Sequence, residues 1–229
     1  MKAVLWKQGA AFFVRLAPLM GQRRLFVLLY AASGAAALVY EVTWTRMLTL
    51  QLGHTVAAAS TVLAAFMGGL ALGAWIAGQR RFTTLRTYAL LEITVAVAAL
   101  ALPIALSASA PALAWAYADG GAPARFALVR VAISLALLVV PAAAMGATFP
   151  IAADWYARSA PDAGALYAVN TAGAAAGAIA AGFFLIPAVG LRATTGVGVL
   201  LNLIAAAGAW WLASQSRSGN RRERKDRRD

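Results

Sequence analysis

No cysteine occurs anywhere in the 229 residues, which excludes disulfides and thiolate metal sites together. Histidine occurs once, at His54, and no Cys, Asp or Glu lies nearby in sequence, so neither a metal centre nor a Ser/His/Asp arrangement has material to build on. Acidic residues number only eight, against 20 Lys and Arg, and charged residues of both signs make up 12% of the chain. Phosphate-binding loops are missing too. The glycines show neither GxGxxG nor P-loop spacing, and no strand pattern precedes them. No metal or cofactor is therefore expected.

What fills the chain instead is apolar sequence, 62% of all residues. Six long stretches carry it: Leu25–Leu52, Thr55–Gly78, Tyr88–Ser107, Phe126–Ala152, Leu166–Ala188 and Thr194–Leu212. A hydrocarbon core of about 30 Å needs about 20 helical residues to cross it, and each stretch is near or above that length. An all-α polytopic membrane bundle of six transmembrane helices follows, one domain over residues 25–212. Residues 1–24 precede it, with Trp6, Phe12, Phe13 and Leu16 among Lys2, Lys7 and Arg15, a composition suited to an interfacial cytoplasmic segment. Residues 213–229 form a polar, highly charged tail that cannot bury a core and is expected to be disordered.

The net charge of +12 would suggest nucleic acid in a soluble protein, but its placement has another explanation. Lys2, Lys7, Arg15, Arg23 and Arg24 precede the first span. Arg80, Arg81 and Arg86 follow the second, Arg158 follows the fourth, and seven more basic residues follow the sixth. Cytoplasmic segments collect Lys and Arg in this way. Both termini are expected on the cytoplasmic side of a bacterial inner membrane, with the tail drawn to anionic lipid headgroups and no nucleic-acid partner needed. The connection Ala108–Ala124, with Trp115, Tyr117 and Asp119, belongs on the opposite side, against the interface.

Within the spans, small residues recur at helical spacing: Gly69 and Gly73 in the second, and Gly173, Gly177 and Gly182 in the fifth. Such ridges let helix backbones approach closely where lipid removes the hydrophobic driving force. Four ionisable residues fall inside spans: Glu41, Arg46, Glu92 and Arg130. Charges at that depth are costly and face a bundle interior or a wet cavity. Glu41 and Arg46, five apart, do not stack on one another, so the expected partner of Glu41 is Arg130 or Arg46 of a neighbouring protomer. Glu92, near the start of its span, could reach the interface. Tyr167, Asn170 and Asn202 can hydrogen-bond across helices.

Four segments carry a wider likeness: SGAAALVYEVTWTRML (33–48), TVLAAFMGGLALGAWIAGQ (61–79), GATFPIAADWYAR (146–158) and GALYAVNTAGAAAGAIAAGFFLIPAVGLRAT (164–194). Together, and in this order, they resemble the multi-spanning membrane domain at the N-terminus of some bacterial spermidine synthase-like proteins. On that resemblance Glu41, Trp44 and Arg46 match an E-x-x-W-x-R element, and Tyr167 and Asn170 a Y-x-x-N element. Those proteins carry a soluble aminopropyltransferase domain after the membrane part, which does not follow here within 229 residues. The resemblance therefore implies the membrane module and not the catalysis: an anchor, scaffold or accessory subunit for a partner protein. The second segment, continuing into Arg80 and Arg81, also resembles, more loosely, the glycine-rich helix and basic loop of major facilitator transporters. Six spans are half of such a transporter, completed by dimerisation, and with Glu41 and Glu92 in its spans this gives the alternative: a carrier or binding protein for polyamine-like cations.

Overall fold

The computed structural model describes residues 2–53, 55–79 and 84–226, with side chains over 21–53, 55–79, 84–118 and 120–215. His54, Arg80, Arg81, the side chain of Asp119, the side chains of residues 1–20 and those of the tail from 216 lie outside the described residues. Seven helices account for the fold: α1 (Lys2–Leu52), α2 (Val56–Gln79), α3 (Leu85–Ala108), α4 (Ala110–Tyr117), α5 (Pro123–Tyr156), α6 (Ala160–Ile179) and α7 (Ile186–Asp226). A single 3₁₀ turn, Ala118–Gly120, links α4 to α5, and a π-helical segment, Ala180–Leu185, joins α6 to α7. The described chain contains no strand, and the all-α architecture stands as the composition dictates. The disordered tail expected from residue 213 is not what the backbone does: α7 stays helical to Asp226. Arg, Lys and Glu, which dominate that stretch, are good helix formers once a helix is already nucleated upstream.

By length and hydropathy five elements are able to cross a membrane: Gly21–Leu52, Val56–Gln79, Leu85–Ala108, Pro123–Tyr156 and Ala160–Gln215. The last, at 56 residues, would rise about 84 Å if straight, far beyond one bilayer. It is not straight. Gly190 takes φ 76° and ψ 174°, a conformation that a residue with a Cβ rarely adopts, and the helix direction turns there. The packing fixes the sense of each half. Gly173 and Gly177 of α6 meet Ala31 and Ala35 of α1, so those helices run in the same direction. Beyond the turn, Gly198 meets Tyr40 and Gly208 meets Leu29, so α7 runs against α1. The protein is thus a multi-pass membrane bundle whose fifth and sixth passes are one folded-back unit.

The glycines set the remaining contacts. A Cβ on Gly73 would run into the Ala143 backbone, and one on Gly146 into Leu70, so α2 and α5 touch main chain to main chain. Gly69 faces Ala142 and Val139 in the same seam. Gly182 is different. Nothing lies within 4 Å of the position its Cβ would take, so it does not join the ridge expected of it. The π segment adds a residue to the turn and swings the helix surface out of phase with α1 after Gly177.

Among the described side chains, Arg23, Arg24, Arg86 and Arg158 lie at one end of the bundle, and Arg46, Arg125, Arg130 and Arg192 toward the other. Arg23 donates to the Tyr156 carbonyl at 3.0 Å and pairs with Asp162 at 3.2 Å, while Arg86 lies over the Trp210 ring. At the other end Gln51 donates to the Leu106 carbonyl, and Arg125 caps α4 through the Trp115 and Ala116 carbonyls. Trp115 and Tyr117 of α4 are exposed, as a helix lying along an interface requires.

Candidate functional site

Glu92 sits at the centre of the bundle. It belongs to the buried stripe of α3, in phase with Tyr88, Val95, Ala96 and Ala99, and only 1% of its surface is exposed. The expectation that it reaches the interface fails for this reason: its face of α3 packs on α7 rather than toward the bundle end. Two neutral donors from other helices hold the carboxylate. The Ser33 hydroxyl of α1 donates to Oε1 at 2.6 Å, and Nδ2 of Asn202 of α7 donates to Oε2. The Tyr88 hydroxyl lies beside the same group without reaching hydrogen-bond geometry. No cation pairs with Glu92 among the described residues; the one ion pair found there is Arg23–Asp162.

A cavity of about 380 Å³ opens against this carboxylate. All six passes contribute to it: Tyr30 and Ser33 from α1, Phe66 and Ala71 from α2, Glu92 from α3, Thr148 and Phe149 from α5, Tyr167 and Asn170 from α6, and Asn202 from α7. Its walls are mainly aliphatic and aromatic, and its polar groups converge near Glu92. Asn202 Oδ1 is buried there without a hydrogen-bond partner, as are the Tyr40 and Tyr88 hydroxyls of two residues that do not line the cavity. Exposed Ala71 and Tyr167 mark the rim, where α2 and α6 face one another. The rings of Tyr167 and Phe149 meet edge to face at 5.7 Å beside it.

The predicted site residues divide between two places. Asn170 joins the cavity, its Nδ2 donating to the Tyr30 carbonyl at 2.9 Å, and Tyr167 joins it at the rim. Trp44 is fully buried, stacked on Tyr40 with ring centres 4.9 Å apart. Glu41 and Arg46 line a separate groove of about 630 Å³ on the outer side of α1. The pairing of Glu41 with Arg130 does not form. Arg130 reaches the Leu52 carbonyl and the Thr55 hydroxyl at 3.5 Å instead, because the end of α1 lies closer to its guanidinium than the middle does.

Ser33 carries no functional expectation from sequence, although it is one of the two residues that fix Glu92. A serine beside Gly34 inside a run of Ala and Leu looks like helix packing. The available signal was phase: Ser33 lies three before Ala36 and seven before Tyr40, both in the core. Comparison of the chain with protein-family models, with curated proteins and with solved structures finds no match in any of the three.

Proposed function

We propose that this chain is a membrane binding protein or carrier for a small protonated amine, taken up in the central cavity against Glu92. The observation that carries the reading is a carboxylate buried at membrane depth, open to a cavity and without a cation of its own among the described residues. A lone charge inside a bundle is costly unless it is paired. An ammonium group supplies the missing charge and donates to the Glu92 oxygens and to the free Asn202 Oδ1. The aliphatic walls cover the methylene part of such a ligand. The cavity falls in the range of small-molecule sites, and polyamine-like cations are the class that the acids within the spans already suggest from sequence.

The test is calorimetric titration of putrescine and spermidine into the protein reconstituted in lipid nanodiscs. Binding to the native chain that vanishes in Glu92→Gln and survives in Glu41→Gln supports the reading. Absence of binding to the native chain, or equal binding by Glu92→Gln, overturns it. An anchoring or accessory role for a partner protein is the second reading. The site favours it less, because a plain anchor has no use for an unpaired acid at its middle.

We also place both termini on the cytoplasmic side of an inner membrane, on the strength of the Lys and Arg distribution. Reporter fusions at Gly120 are expected to read as exported, and those at Thr83 or after Ser218 as cytoplasmic. A cytoplasmic Gly120 would reverse this assignment.

A further inference from the structure

The outer groove on α1 is lined on that helix by Leu38, Glu41, Val42, Thr45, Arg46 and Thr49. These six positions follow a heptad. Leu38 and Thr45 fall at d, Val42 and Thr49 at a, Glu41 at g and Arg46 at e. One turn earlier the same seam is already filled: Ala31 and Ala35, the preceding d and a positions, take the Gly173 and Gly177 backbone of α6. Beyond them the π segment and the start of α7 wall the far side of the groove through Gly182 and Ile186, and Gly182 offers no side chain to close the gap. Leu38, Val42 and Thr45 of the seam are only half-buried, Thr49 is buried at its end, and a half-buried acid and an exposed base stand on its two flanks. Neither side chain has a hydrogen-bond or ion-pair partner among the described residues.

We infer that this seam is the contact between two copies of the chain, with the α1 helices parallel about a two-fold axis along the membrane normal. Two copies inserted with the same topology bring their α1 helices together in parallel. In a parallel two-stranded contact a g residue meets the e residue five positions on in the partner helix. Glu41 of each copy then meets Arg46 of the other, twice by symmetry. The contact is self-complementary in charge, as a two-fold interface requires. Neither charge finds this partner inside its own chain, since a spacing of five puts the two on opposite flanks of the seam. Val42, Thr45 and Thr49 are small enough for close approach of the two backbones. The contact shares Leu38 with the cavity wall, but Glu41 and Arg46 do not line the cavity, and the contact does not depend on the ligand proposed for it.

The absence of cysteine makes the test direct. Single substitutions Val42→Cys, Thr45→Cys and Leu50→Cys, the last off the seam and exposed, are oxidised in the full-length protein in lipid bilayers. On a parallel two-fold each a or d residue meets its own copy. A disulfide-linked dimer from Val42→Cys and Thr45→Cys, and little from Leu50→Cys, is expected. In a second arm, dimerisation is measured for Glu41→Arg, Arg46→Glu and the double exchange. Each single exchange should weaken association about tenfold, the scale of one to two membrane-buried polar contacts, and the double exchange should restore it. Equal cross-linking at all three sites, no cross-linking on the seam, or a double exchange no better than the singles overturns the inference. If a charge variant fails to fold, the cysteine arm, with native charges, still decides.

Discussion

Two carboxylates lie inside this bundle, and they have been given opposite surroundings. Glu92 is enclosed and held by hydroxyl and amide donors from two other helices. Glu41 is half-buried on an outer face and touches no donor among the described residues. Both belong to apolar helices of one short chain, so depth alone does not set their roles. What differs is the phase of each residue against its neighbours. Glu92 points along the stripe that α3 buries, whereas Glu41 flanks a half-buried stripe of α1 that lines an outer groove. On the proposed reading, the buried acid with neutral donors takes its cation from solution. An uncovered acid five residues before a base is half of a contact.

The sharpest way to break this comparison is to exchange Glu92 and Glu41 each for Gln and measure amine binding. Loss of a desolvated charge partner costs about 2–5 kcal/mol, so Glu92→Gln should weaken binding by about a hundredfold. Glu41→Gln should leave it unchanged within about threefold, a few tenths of a kcal/mol. Equal losses would merge the two acids into one site.

Next in size is the seam itself, tested on its closed and open halves by thermal unfolding. Gly177→Val forces a side chain into the Ala35 backbone and should destabilise by about 1–3 kcal/mol or more. Gly182→Ala enters open space and should stay within about 0.5 kcal/mol. Similar effects at both glycines would mean that α6 stays on α1 throughout.

A smaller effect is expected at the donors. Ser33→Ala removes one hydrogen bond to a buried carboxylate and should cost about 1.5–3 kcal/mol in stability, less where an amine ligand is present to take its place. Smallest of all is Asp162→Asn at the end of the bundle. Its pair with Arg23 is about a third exposed, so solvent screening should leave thermal stability nearly unchanged.

The bundle was legible from sequence because a membrane imposes long apolar helices, and the ends of α2, α3 and α5 fall within a few residues of the hydropathy boundaries. By contrast, α1 starts at Lys2 and α7 runs on to Asp226, well outside them. Phe126–Ala152 grew to Pro123–Tyr156, and Tyr88–Ser107 to Leu85–Ala108, by turns that a span does not need but a helix can keep. The split of the last two passes was visible in the break between Ala188 and Thr194, even though Gly190 alone makes the turn. The site was legible only in its parts. Glu92, Tyr167, Asn170 and Asn202 all stood out as polar residues in apolar helices. Their convergence did not, because rotation about each helix axis is decided by packing, and in uniformly apolar spans no polar face reports it. The same gap misassigned Arg130 as the partner of Glu41, since the two share a membrane depth in sequence but not a direction in space.

The turn at Gly190 also bears on what the outside world can touch. One residue reverses the chain between Val189 and Leu191, so the last two passes share no loop on that side. A protease must seat several extended residues, and an antibody or a fused tag needs an exposed segment. Neither finds one there. Susceptibility on that face should concentrate in the α4 connection around Gly120 and Gly121, where the helix gives way to a turn and an extended step before Pro123.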